Sequence, residues 1–160
     1  MGKVLGHFEN GFAGAASRSI DNIIVALKNA SDGEIPFGAP VFLKAGETSC
    51  LPFDAETSEA EAFLGFAVRV PDKTPEVYGS NEGVFNAGDL AEVLVRGSVV
   101  LRFTGTAVPG DGVYIRKSDG ALVTAAGETG TTLQLPNVTV RTAADSSSCA
   151  EVVITKRNIM

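Results

Sequence analysis

The chain has 160 residues, 44% of them apolar and 20% charged, a composition that fits one folded domain and excludes wholesale disorder. A formal net charge of −6, with no run of five basic residues, argues against nucleic acid as the main partner, because phosphate binding needs a basic face. Eighteen glycines, no tryptophan and only two cysteines favour short strands and tight turns over a disulfide framework.

Residues 1–19 are small and Gly-rich, with scattered Val4, Leu5, Phe8 and Phe12. They read as an extended N-terminal arm, and those four side chains are the candidate inter-subunit contacts. The first seven residues lack the apolar core of an export signal. No stretch anywhere reaches the ~18 apolar residues of a membrane span. Residues 20–160 read as a single β domain. "IDNIIVALK", residues 20–28, fits a helical stripe at Ile20, Ile23, Ile24 and Leu27, but the β-branched run Ile23-Ile24-Val25 favours a strand.

"EIPFGAPVFLKAG" follows at residues 34–46. Pro36 and Pro40 each hold the preceding residue extended, and Gly38 permits a turn between them. Pro40 cannot donate to a ladder and belongs at the first position of its strand. Residues 54–61 form an acidic loop or short helix whose spacing matches no calcium loop. "AFLGFAVRV", residues 62–70, reads as a buried strand. Residues 72–88 are loop-rich, with a short pairing near Val84-Phe85.

"LAEVLVRGSVVLRFT", residues 90–104, alternates apolar and polar side chains with period two. That predicts a half-buried strand with Ala91, Val93, Val95, Val99, Leu101 and Phe103 on one face, bent or bulged at Gly97. Ser118-Asp119-Gly120 joins residues 113–116 to 121–124 as a hairpin. Residues 125–137 read as a loop, and "NVTVRT" and "CAEVVITKR" as closing strands around an exposed "AADSSS" tip. Gly38–Lys44 and Gly110–Arg116 echo one another as reused turn-to-strand units.

Chemistry-bearing patterns are sparse. His7 is the only histidine, which removes most triads and multi-His metal sites. Cys50 has no basic neighbour to lower its pKa, and Cys149 reads as a core residue at a strand start. Both are expected to be reduced and structural, and a disulfide between them is not legible from sequence. Gly110-Asp111-Gly112 precedes a strand, not a helix, and so reads as a tight turn and not as a phosphate loop. Glu59 and Glu61 read as solvated loop acids.

Three segments occur in a fixed order: "EIPFGAPVF", "FLGFAVRV" and "GDLAEVLVRGSVVLRF…VPGDGVYIRKSDGALV". Together, over about residues 10–154, they resemble the cement, or head-decoration, proteins of tailed bacteriophages. The resemblance implies an all-β fold, a compact β-barrel or β-clip-like domain with an extended N-terminal arm. It implies a structural virion protein that decorates and stabilises the mature capsid by bridging neighbouring major capsid subunits. It further implies a homotrimer on the capsid exterior, assembled in the bacterial host cytoplasm, with no catalytic residues, cofactor, metal, nucleic acid or membrane partner. A receptor- or carbohydrate-binding β-module on a virion surface is the alternative. It needs exposed loop aromatics, for which Tyr78 and Phe85 qualify. A cupin-like enzyme needs several histidines.

Overall fold

A computed structural model describes residues 10–71 and 82–158. Its strands are β1 Ala16–Ser17, β2 Ile23–Asn29, β3 Ile35–Pro36, β4 Pro40–Leu43, β5 Ser49–Pro52 and β6 Phe63–Ala67. They continue as β7 Val84–Phe85, β8 Leu90–Arg102, β9 Gly112–Arg116, β10 Leu122–Val123, β11 Thr132–Val140 and β12 Cys149–Ile154. Among the described residues, single 3-10 turns run over Ser19–Asp21 and Ala60–Ala62.

Ten strands share one sheet in the order β10-β9-β11-β12-β8-β2-β5-β4-β6, with β1 also on β8, and β6 returns to pair with β8. The return pairs Phe66 with Leu94 and Ala67 with Val93. The circuit β8-β2-β5-β4-β6 is therefore closed, and it forms a small barrel in which only β2–β5 is parallel. Each of its five strands contributes to one apolar cluster: Leu27, Cys50, Val41, Leu64, and Val93 with Val95. Ile35, Phe37 and Phe85 from the β3–β7 region join that interior.

The other face of the barrel wall supplies a second core. Phe42, Phe63, Phe66 and Leu94 pack against Ile115 of β9, Leu135 and Val140 of β11, and Val152 and Ile154 of β12. Phe63 lies edge-on to both Phe42 and Phe66, with ring centroids 5.8 and 5.3 Å apart. The molecule is thus a barrel with a second β layer packed on one side.

β8 belongs to both cores, and here the structure corrects the one-faced reading. Before Gly97 the odd residues Ala91, Val93 and Val95 fill the barrel while Leu94 reaches the outer core. After it, the odd residues Val99 and Leu101 fill the outer core. The parity reverses because β8 carries an extra residue opposite Ile23-Ile24 and because Gly97 takes φ 114°, a conformation open to glycine. The even residues Ser98 and Val100 are buried as well. An unbroken alternation in sequence hides this, since both cores want the same residue types.

Pro40 does open β4, and the hairpin pairs Leu122 with Ile115 and Val123 with Tyr114. The region 125–137 is not all loop. β11 starts at Thr132, pairing Thr132, Leu133 and Gln134 with Arg116, Ile115 and Tyr114. Its register slips between Gln134 and Thr139, where Pro136 has no N–H to give and Asn137 adopts φ 60°.

Candidate interaction surface

Among the described residues, both cysteines are withdrawn from solvent and the Gly110-Asp111-Gly112 segment is held in a turn. Cys50 is buried, its thiol donates to the Leu27 carbonyl at 3.6 Å, and burial pushes its pKa up to about 11. A thiol so placed is a poor nucleophile. Cys149 is buried at the start of β12, its thiol donating to the Ser147 carbonyl. Among the described residues no three His, Cys, Asp or Glu side chains gather as a metal site. At Gly110-Asp111-Gly112 the Gly110 N–H donates to the Val140 carbonyl and Asp111 accepts from Val108 N–H at 3.1 Å. Those amides hold a turn and are not offered to an anion. Asp54 likewise caps its own acidic loop, accepting from the Glu56 and Thr57 amides, while Glu59 and Glu61 are exposed.

A shallow groove of about 790 Å³ lies where β9, β10 and β11 end, lined by Thr104, Thr106, Arg116, Lys117, Thr124 and Thr132 among others. No aromatic residue lines it. Thr124 donates to the Thr106 carbonyl within it, and the Arg116 fork is held by Asp119. That guanidinium, with the Ala121 amide, lowers the Asp119 pKa to about 2. Phe85, expected as an exposed loop aromatic, is instead buried in β7 against Phe37, with centroids 5.5 Å apart. The correction has a simple cause: β3 and β7 pair, and their apolar side chains turn into the barrel. Tyr78 lies outside the described residues.

Val4, Leu5 and Phe8 also lie outside the described residues. The root of the expected arm is on view. The Asn10 N–H donates to Asp145 at 2.7 Å, and its side-chain amide donates to the Ala143 and Cys149 carbonyls at 2.8 Å each. Phe12 is half-buried, with the Arg69 guanidinium 5.0 Å from its ring centroid. Gly14 and Ala15 bond to Val100 of β8, and Arg69 N–H donates to the Gly14 carbonyl. A Cβ on Gly14 would come within 2.8 Å of Phe37 and one on Gly38 within 2.9 Å of the Gly14 nitrogen. The proline-flanked corner is thus the seat on which this segment lies. Arg18 ends the run, its Nε 2.6 Å from a Glu151 oxygen.

Beyond Arg18 the surface turns apolar. Ile20 is fully exposed, and Ile23 and Ile24 are more than a third exposed. The β-branched run Ile23-Ile24-Val25 does lie in a strand, and of the four residues that also fitted a helical stripe, Ile20, Ile23, Ile24 and Leu27, only Leu27 is buried. β2 also leaves an edge unpaired. On one side it pairs with β8 from Ile23 to Lys28; on the other it meets β5 only at Lys28 and Asn29. Asn29 N–H and C=O both point toward the β8 side, at Asp89 and Gly88. By strand alternation Ile24 and Ala26 turn their N–H and C=O the other way, where no described residue pairs with them. Sequence held one usable signal: isoleucines at 20, 23 and 24 are more than a two-sided strand of a small barrel can bury.

Fold and surface define an all-β structural domain whose conspicuous features are contact surfaces. The family model described as "Structural cement protein (E217 gp24/Pam3 gp6)" matches residues 3–155, and the chain belongs to that family of bacteriophage capsid proteins. A chain of the solved structure "The capsid of Myoviridae Phage XM1" shares the fold, with TM-score 0.71 and 22% sequence identity, over 97% of this chain and 96% of that one. No curated protein sequence matches the chain.

Proposed function

We propose that this cement protein decorates the exterior of the mature capsid as a homotrimer and stabilises the shell by bridging neighbouring major capsid subunits. The observation that carries this reading is the family match over nearly the whole chain. A closed barrel with a second packed layer supports it physically, since a rigid body transmits force between the subunits it touches. A ligand that binds only the expanded shell stabilises that state by mass action. Each contact can be modest, because a trimer engaging three sites gains from effective concentration. The arm residues Val4, Leu5, Phe8 and Phe12 belong to the proposed contacts. Shell binding places assembly in the bacterial host cytoplasm.

The test is to add the purified protein to expanded shells lacking it. Sedimentation with the shells, saturating at a fixed ratio, and a raised temperature of shell rupture are expected. Shells that neither retain the protein nor change their rupture temperature would overturn the reading.

A further inference from the structure

We infer that residues 1–9 of one copy add as a strand to the open edge of β2 in a second copy, so that the trimer is held by a head-to-tail exchange of arms. The inference rests on the trimer of the preceding reading and names its contact.

The acceptor is an unprotected strand edge. Ile24 and Ala26 offer main-chain N–H and C=O groups to no described residue, beside the exposed Ile20 and Ile23. Proteins ordinarily blunt such an edge with lysine, proline or a bulge turned outward, because it recruits other strands. Here the first lysine is Lys28, where β5 already pairs. The bulge lies on the β8 side. Strand addition satisfies such groups, with main-chain bonds giving affinity and side-chain contacts giving specificity.

The donor follows from where the described chain begins. Asn10 is tied beside Cys149, which pairs with Arg102 at the far end of β8, whereas the open edge lies beside Leu94. At about 3.3 Å per residue the eight steps from Arg102 to Leu94 span about 26 Å. Nine extended residues reach about 30 Å at most. An arm folded back on its own chain would spend nearly all its length on the journey and leave one or two residues to pair. A neighbour's edge has no such limit. The segment is Met-Gly-Lys-Val-Leu-Gly-His-Phe-Glu, with Val4, Leu5 and Phe8 to set against the isoleucines. Donor root and acceptor lie at opposite ends of one strand, so a head-to-tail contact can form, and such a contact makes a ring where the rotation between copies closes, as a trimer requires.

Single variants Val4→Cys, Leu5→Cys and Gly6→Cys, each mixed with Ala26→Cys and oxidised, test the exchange in the absence of shells. Both native cysteines are buried. A disulfide-linked pair in at least one mixture, and in none of the variants alone, is expected. Deleting residues 2–9, or introducing Ala26→Pro, should lower the light-scattering mass about threefold while the far-UV spectrum stays β-rich. The proline removes an N–H that faces away from β8, so the barrel's own ladder is spared. A deletion variant that keeps the full mass would overturn the inference. So would a link confined to one chain in the doubly substituted protein. Arm exchange in solution with no shell binding would instead sink the cement role and leave this contact standing.

Discussion

The two flanks of β8 in the barrel are built to opposite standards. On one side β6 closes the circuit so tightly that a Cβ on Gly65 would lie 1.8 Å from the Leu94 carbonyl oxygen. On the other, β2 pairs with β8 fully but leaves most of its own outer edge bare, under exposed isoleucines. Glycine at the seam lets two backbones meet with nothing between them; isoleucine at the edge leaves apolar surface in water. The first arrangement is explicable within one chain. The second leaves, among the described residues, strand edge and apolar surface with nothing set against them.

The largest expected effect breaks the seam. Gly65→Val sets a branched side chain against backbone atoms of Leu94 and Val95, which cannot swing aside as a side chain would. Strain of that kind belongs to the exceptional class of substitutions, about 4 kcal/mol or more. Soluble yield and the thermal midpoint should collapse. In a chain lacking residues 2–9, where no arm covers the edge, Ile24→Lys should move stability by only about 0.5 kcal/mol, as surface changes do. Equal losses at the two positions would erase the distinction between seam and edge.

A smaller effect sharpens the point where the two halves of β8 meet. Asn22 sits against Gly97, accepts from the Ser98 N–H at 3.0 Å and donates to the Ser17 carbonyl at 3.1 Å. It thereby fills the gap in the ladder that the parity reversal opens. Asn22→Ala leaves Ser98 N–H without that partner, a loss of about 1–3 kcal/mol. At about 2–4 °C per kcal/mol for a chain of this size, a calorimetric scan resolves it. An unchanged midpoint would mean that water replaces the amide freely.

What sequence made legible follows from which signals are local. Pro40 at a strand start and Ser118-Asp119-Gly120 at a turn act through their own φ angles, so both could be placed unaided. The fold class was legible too, because glycine, threonine and valine punctuated the chain at strand spacing. Barrel closure was not, since it depends on Gly65 meeting Leu94 across about 30 positions of sequence. The parity reversal at Gly97 was hidden for a related reason: valine and leucine serve either core. The strand at Ile23-Ile24-Val25 was legible from its β-branched run but its exposure was not, because β-branching reports strand geometry and not what covers the strand. The structure shows Phe12 against Arg69 and Asn10 tied to Asp145.

The smallest effect lies away from both flanks, at the tip of the β9–β10 hairpin, and serves as a control. Arg116 and then the Ala121 amide lower Asp119 from 3.8 to about 2. A carboxylate depressed on folding contributes stability that is complete above its unfolded value and is lost as pH falls through its folded value. Any contribution from Asp119 should therefore be constant above pH 4 and fall away as pH drops from 4 through 2. Both partners are solvent-exposed, and exposed ion pairs contribute little. Asp119→Asn should lower the thermal midpoint slightly at neutral pH, and less in high salt. The gap to the native chain should narrow on acidification toward pH 2, where about half of the native carboxyls are protonated. A gap that does not narrow would assign the difference to the Asx turn over Ala121 and not to the charge on Arg116. The hairpin tip, unlike the seam, can then be altered without disturbing the barrel, which is what makes it a fair baseline for changes at the β2 edge.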